Sequence, residues 1–186
     1  MIKKMKEQLA QNLSEKRYKH SVNVSKTAKV LAKQFECDPE KAKIAGLLHD
    51  CARELTNNRL LSTAEAFGIV VGEIERAQSV LLHALIGAKV AEVDYGVSDP
   101  EILHAIAVHT TGGPNMTILD KIIFLADVIE PGRSFPGVEL IRKLAEEDLD
   151  KAVLAAYNQS ILFLAAHDSI IHPDTIIGRN ELLLNK

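Results

Sequence analysis

An apolar repeat of three to four residues recurs through most of the chain, and it constrains the fold more than any other feature, because only helices bury such a stripe on one face. Val24, Ala28, Leu31 and Phe35 form one stripe within about 14–36, and His20 lies one turn before Val24 on it. Asp38-Pro39 reads as a helix start, with Asp as N-cap and Pro at the first helical position, where its missing N–H costs nothing. That helix carries Ala42, Ala45 and His49 on one face. Asp99-Pro100-Glu101 repeats the signal and opens a helix with Ile102, Ala105 or Ile106, and His109 inward. The spacing further predicts helices over Leu82–Val93, with His83, Gly87 and Val90 aligned, and over Met116–Ile129, with Asp120, Phe124 and Asp127 on a common side. A long helix over 149–170, capped by Asp148, comes next, and Pro173-Asp174-Thr175 predicts a turn into a last short helix. The β-branched triplet Ile69-Val70-Val71 is too short to count as a strand. Punctuation gathers at Thr111-Gly112-Gly113-Pro114 and in the Pro/Gly loop 131–137, a compact loop inside a helical chain and so a candidate for function. The expectation is one all-α domain over residues 1–186, long enough for a sizeable core.

Composition removes several function classes. The net charge is −3, so the chain has no global electrostatic footprint for nucleic acid or membrane. With no Trp and three Tyr it offers no aromatic ladder for single strands. Cys37 and Cys51 do not form a Cys-x-x-Cys, which points to a reduced, cytoplasmic setting. Lys3, Lys4 and Lys6 resemble the start of a signal peptide, but no apolar run comes after them. The longest such run, Ile161–Ala166, is far too short to span a bilayer. Nothing marks an association patch, and a homodimer stays open beside a monomer.

The chemistry concentrates at His49-Asp50, at the end of the apolar run that starts at Ala42. Helical neighbours point about 100° apart, so both serve one site only if other ligands arrive from other helices. His20, His83, His109 and Asp127, each on an inward face, are available. A set of imidazoles and carboxylates inside a helical core is a metal-site composition that suits Fe, Mn or Zn. An ionised Asp127 within Phe124-Leu125-Ala126-Asp127-Val128-Ile129 would be costly to bury without a cation. His20, His49, Asp50 and Asp127 would supply two nitrogens and two carboxylates, leaving positions for water and substrate. His83 and His109 either hold a second metal bridged by Asp50 or bind phosphate oxygens. A single His on an apolar face is ordinarily a hydrogen-bonded core residue, and His104, His167 and His172 are read so. Arg53, one turn after His49, and Arg133, in the Pro/Gly loop, are planar donors suited to phosphate, with a solvated surface charge as the alternative for each. Lys121 is taken as structural. A small buried filler is the simpler reading of Cys51.

Five blocks carry a family resemblance: Arg17-Tyr18-Lys19-His20-Ser21, the stretch from Ala45 to Arg53 around His49-Asp50, Leu82–Ala88 around His83, His109-Thr110-Thr111-Gly112, and Leu119–Arg133 around Asp127. In this order they resemble the bacterial YqeK family of HD-domain metal-dependent phosphohydrolases, over about 15–180. The resemblance implies an iron-associated enzyme that cleaves diadenosine tetraphosphate symmetrically into two ADP, with Mn2+, Zn2+ or Mg2+ as alternative metals. His20, His49, Asp50 and Asp127 match the family's metal ligands, and His83, His109 and Thr110 match positions beside the nucleotide phosphates. Asp50, His83 and His109 are thus the catalytic candidates. Substrate contacts are expected from His20, Asp50, Cys51, Ala52, Arg53, His83, His109, Thr110, Asp127 and Arg133. The tail Ile171–Asn180 resembles the family's C-terminal block and brings Pro173, Asp174, Thr175 and Arg179 toward the nucleotide, with a packing tail as the alternative. Phe135 is a candidate cover for an adenine ring. The same site could act on another nucleotide, although the Gly-Tyr-Pro signature of the cyclic-dinucleotide branch is absent. A di-iron oxygenase is chemically open too. A non-catalytic nucleotide-binding module should have lost a ligand, and none is lost.

Overall fold

Three helix starts are made by the aspartates that the sequence marks. Asp38 accepts from the Glu40 and Lys41 N–H groups and opens α3 (Pro39–Leu48). Asp99 accepts from Glu101 N–H and opens α7 (Pro100–Val108), and Asp148 accepts from Lys151 N–H and opens α10 (Leu149–Ala166). The computed structural model describes residues 2–185, and the regular elements among them are helices, with no strand. The remaining helices are α1 (Ile2–Asn12), α2 (Glu15–Gln34), α4 (Asn57–Ala66), α5 (Glu73–Ala77), α6 (Leu82–Val93), α8 (Ile118–Ile129), α9 (Val138–Ala145) and α11 (Pro173–Leu184), with a 3-10 turn over Ser79–Leu81 before α6.

Two expected boundaries move. The helix predicted from Met116 starts at Ile118, because Thr117 and Asp120 form a reciprocal capping box there. Asp120 is therefore a buried cap and does not share a role with Asp127. The helix predicted to reach residue 170 stops at Ala166. Asp168 turns left-handed, with φ 50°, and Ser169 N–H returns to the Leu164 carbonyl at 2.9 Å. Helices α1, α4, α5 and α9 are not anticipated from the pattern, since each is short or mostly polar; α1 buries only Met5 and Leu9.

α2 packs on α3 and α8, α7 bridges α3, α6 and α8, and α10 covers α8 and α9. The main core between them includes Leu47, Leu48, Ile106, Ile122, Ile123 and Leu125. A smaller cluster of Ala52, Leu60, Ala64, Leu82 and Ile86 seats α4 against α6. Gly46 allows the close α2–α3 approach, since a Cβ there would sit 3.0 Å from Ser25 Cα and 3.1 Å from the Val24 carbonyl oxygen. Among the described residues no helix is long and apolar enough to cross a membrane.

Candidate metal centre

The six residues expected to converge do so, from five elements. His20 comes from the second turn of α2, His83 from the first turn of α6 and Asp127 from the last turn of α8. His49 and His109 are the C-caps of α3 and α7, and Asp50 lies in the turn beyond α3. These three lie just past helix ends, not on the helix faces where the periodicity predicts them. His49 keeps helical dihedrals and the chain turns on beyond it, with Cys51 N–H on the Leu48 carbonyl at 3.0 Å, so the two neighbours serve one site because the other ligands arrive from other helices.

Asp50 is the hub. Its Oδ2 lies 3.5 Å from His49 Nε2 and 3.7 Å from His20 Nε2. Its Oδ1 lies 3.2 Å from His83 Nε2 and 3.6 Å from His109 Nε2. Asp127 Oδ1 closes the first side, 3.0 Å from His20 Nε2 and 3.8 Å from His49 Nε2. His49, Asp50, His83 and His109 are buried, and His20 and Asp127 are partly so.

The outer nitrogens fix the tautomers. Nδ1 of His49, His83 and His109 faces the carbonyl oxygens of Gly46, Val80 and Ile106, and Nδ1 of His20 faces Glu130 Oε1. A carbonyl or carboxylate can only accept, so each Nδ1 carries the proton and each Nε2 presents a lone pair inward. Yet the Nε2 atoms of His20 and His49 are 3.2 Å apart, as are those of His83 and His109. Lone pairs that close, beside carboxylate oxygens, need protons or cations between them. Burial holds the pKa of His83 below its ordinary value, against the pull of its hydrogen bond to Asp50, which disfavours the extra proton. The residues therefore fit a bound cation, and His20–His49–Asp50, His49–His109–Asp127 and Asp50–His83–His109 each bring their donor atoms within 4.8 Å.

The carboxylates are held ionised. Burial pushes the Asp50 carboxyl up, but the imidazoles of His49, His109 and His83 packed around it outweigh burial and leave the group well below the usual range. Asp127 shows the same balance, with burial outweighed by His20, His49 and Arg133.

Sequence reasoning missed two contributors. Arg17 Nη1 donates to Asp50 Oδ2 at 2.7 Å. Glu130 is buried and accepts from His20, from Asn23 Nδ2 at 2.9 Å and from Gly132 N–H at 2.6 Å. Both stand inside the five blocks, and the signal that could have found them is a charge one turn from a candidate ligand. Arg133 does fold back from the Pro/Gly loop: its Nη2 pairs with Asp127 Oδ1 and its Nε donates to the Asp127 carbonyl at 2.8 Å. Thr110 Oγ1 stands 3.2 Å from His83 Nε2 and 3.1 Å from His109 Nε2.

The other candidates scatter. Cys51 is buried with its thiol on the Gly87 carbonyl at 3.3 Å, and burial pushes its pKa up. Ala52 packs into the smaller cluster. Arg53 shares the turn, its N–H donating to the Asp50 carbonyl at 2.9 Å. Asp174 and His172 line a cleft of about 160 Å3 with Thr110, Thr111, Leu81 and Ala84. Pro173 is the first residue of α11, Thr175 Oγ1 donates to the Thr111 carbonyl at 2.9 Å, and Arg179 Nε donates to Asn158 Oδ1 at 2.6 Å. Phe135 packs against the main core. Lys121 pairs with Asp150 at 2.7 Å. His104 and His167 are exposed rather than core residues, and His172 is the half-buried N-cap of α11.

Comparison with known proteins agrees with this geometry. The HD domain family matches residues 17–132. The chain is 41% identical over 175 residues to the symmetrical bis(5'-nucleosyl)-tetraphosphatase of Halalkalibacterium halodurans, covering 94% of this chain and 93% of that protein. It is 39% identical over 173 residues to the protein of the same name in Bacillus subtilis, covering 93% and 92%. A Clostridium acetobutylicum crystal structure, described as a "predicted HD superfamily hydrolase involved in NAD metabolism", superposes with a TM-score of 0.97 at 44% identity over 100% of this chain and 98% of that one. The chain belongs to the HD domain family and, within it, to the symmetrical bis(5'-nucleosyl)-tetraphosphatases.

Proposed function

We propose that this protein hydrolyses diadenosine tetraphosphate, and related dinucleoside polyphosphates, to two ADP at the Asp50 centre. The observation that carries the reading is the convergence of four imidazole Nε2 atoms on the buried carboxylate of Asp50, with Arg17 on that carboxylate and Arg133 on Asp127 beside it. His20, His49, Asp50 and Asp127 would hold the metal, with iron as the first choice and Mn2+, Zn2+ or Mg2+ as alternatives. A divalent metal there supplies a water acidified toward neutral pH and offsets charge on the transferred phosphoryl group.

The chain's own residues do the rest. Asp50 keeps one oxygen on each histidine pair and so fixes their separation. His83 and His109, with Thr110 between them, present polar atoms on the Oδ1 side, where phosphate oxygens would lie. His83, kept neutral by burial, can accept a proton at Nε2. Arg17 and Arg133 are placed to exchange a carboxylate partner for phosphate oxygens, as planar forked donors do. Arg53 lies on the same turn as Asp50 and is the candidate there for a substrate contact, whereas Cys51 and Ala52 of that turn pack inward. The cleft lined by His172 and Asp174 adjoins Thr110 and suits a nucleoside end; Pro173 and Thr175 flank Asp174 in the chain, while Arg179 lines a separate cleft beside Asn158. We place the activity in the cytoplasm, consistent with two free cysteines, and without a nucleic-acid partner.

Attack between the inner phosphates makes ADP the leaving group, and its charge is better spread than that of a nucleoside alkoxide. Diadenosine tetraphosphate hydrolysed in 18O-labelled water should therefore give ADP alone, with label in one of the two ADP molecules formed. AMP plus ATP would mean attack at an outer phosphate and would end the symmetrical reading. No cleavage, with another nucleotide turned over instead, would move the activity to that substrate.

A further inference from the structure

The four clustered histidines are not backed equally. His49, His83 and His109 each lean on a neutral carbonyl oxygen three residues upstream. His20 leans on a carboxylate, its Nδ1 3.1 Å from Glu130 Oε1. That carboxylate is built in: Glu130 is 3% exposed, and its Oε2 accepts from Asn23 Nδ2 and Gly132 N–H. Glu130 itself reaches the centre only through His20.

The chemical consequence is directional. An anionic acceptor on Nδ1–H forms a stronger hydrogen bond than a carbonyl and leaves more electron density at the opposite nitrogen. His20 Nε2 is thereby the strongest electron-pair donor toward a cation among the four. Carboxylates are also more numerous on that side: Asp127 and one oxygen of Asp50 face His20 and His49, with Glu130 behind, although Arg17 and Arg133 offset much of their charge, whereas within 4.0 Å the His83–His109 side meets only the other oxygen of Asp50.

We propose that Glu130 is a positioning residue that locks the His20 tautomer and makes the His20–His49–Asp127 side the tight cation subsite, leaving the His83–His109 side exchangeable. The proposal rests on His20 being a metal ligand. It adds that one loop, Glu130–Arg133, controls two residues of that subsite, since Arg133 pairs with Asp127.

The test is Mn2+ binding to the full-length, metal-stripped protein by chelator competition, with melting of the metal-free protein measured in parallel. The wild type should show a tight and a weak step. Glu130→Gln should weaken the tight step by roughly 10- to 100-fold, the range for loss of a ligand's hydrogen-bond partner, and leave the weak step in place. Asn23→Ala keeps the charge but removes one of its donors, and should weaken the tight step several-fold less. A purely structural role would lower the melting temperature of the metal-free protein and leave affinity unchanged. A wild-type tight step in Glu130→Gln, while His20→Ala has lost that step, overturns the proposal. If Glu130→Gln does not fold, an unchanged tight step in Asn23→Ala overturns it instead. A wild-type tight step in His20→Ala removes the ligand assignment on which it rests, and binding in one undivided step removes the division into two subsites.

Discussion

One carboxylate does two jobs at Asp50, and single-residue changes should separate the centre's parts. Asp50→Asn removes a charge shared by both histidine pairs, so metal content by elemental analysis and turnover should fall together; wild-type values of both would overturn the assignment. His83→Ala and His109→Ala should each lower kcat by about 10²-fold or more, the scale for losing a preorganised charge stabiliser. Their thermal stability should suffer less than that of Leu47→Ala, where truncating a fully buried leucine costs about 2–5 kcal/mol. The reverse ranking, with activity retained in the folded fraction, would make them core histidines. Arg133→Ala should lower kcat/KM by roughly 10-fold, as for a charge-assisted hydrogen bond worth ~1.5–3 kcal/mol. Wild-type kinetics would return Arg133 to the surface. Arg17 shows why some of the site escapes a reading of the chain. It lies 33 residues from Asp50 near the start of a helix, where an arginine is normally solvated, and only the α2–α3 packing puts it on that carboxylate.

At the level of elements, the C-terminal helix is tied to the centre through a turn. Tyr157 on α10 is fully buried, and its hydroxyl accepts from Gly113 N–H at 3.2 Å. This holds the Thr110–Gly113 turn, which carries His109 and Thr110 at its start. α11 docks on the same point, since a Cβ on Gly178 would lie 2.5 Å from both the Gly113 carbonyl oxygen and the Tyr157 hydroxyl. Gly178→Ala must therefore push α11 off the turn, at about 1–3 kcal/mol of stability, the usual cost of overpacking. Thermal melting measures it, and a wild-type melting temperature would mean that α11 is not seated there in solution. Helix starts at Asp38, Asp99 and Asp148 are readable from the chain because a cap is a local bond. Helix ends at His49 and His109 are not, because the path of the backbone beyond them depends on the elements the turn packs against.

For the whole molecule, any metal that binds the native centre and not the unfolded chain must raise the melting temperature, and a chelator must lower it. The alkaline limb of stability belongs to the buried Cys51 thiol and the buried tyrosines, which keep their protons in the folded chain after the unfolded one has lost them. Burial pushes the Tyr157 phenol up to about 12 from 10.0, partly offset by the Gly113 N–H. Between those values the unfolded chain has lost a proton that the folded one keeps, so stability falls as pH rises through that window, with Tyr95 adding in the same sense. Denaturant melts from pH 9 upward should show a shallower loss in Tyr157→Phe than in wild type; equal slopes would mean that the phenol ionises freely in the native state. The helical class, most helix starts and the identity of the six convergent residues come from the chain alone, because periodicity and caps act over three or four residues and inward-facing histidines are few. The two-sided geometry of Asp50, the partners Arg17 and Glu130, and the clamp of α11 on the Gly112-Gly113 turn come from packing. They join residues 33 to 110 positions apart, as in Arg17–Asp50 and His20–Glu130, where no local pattern specifies which atoms meet.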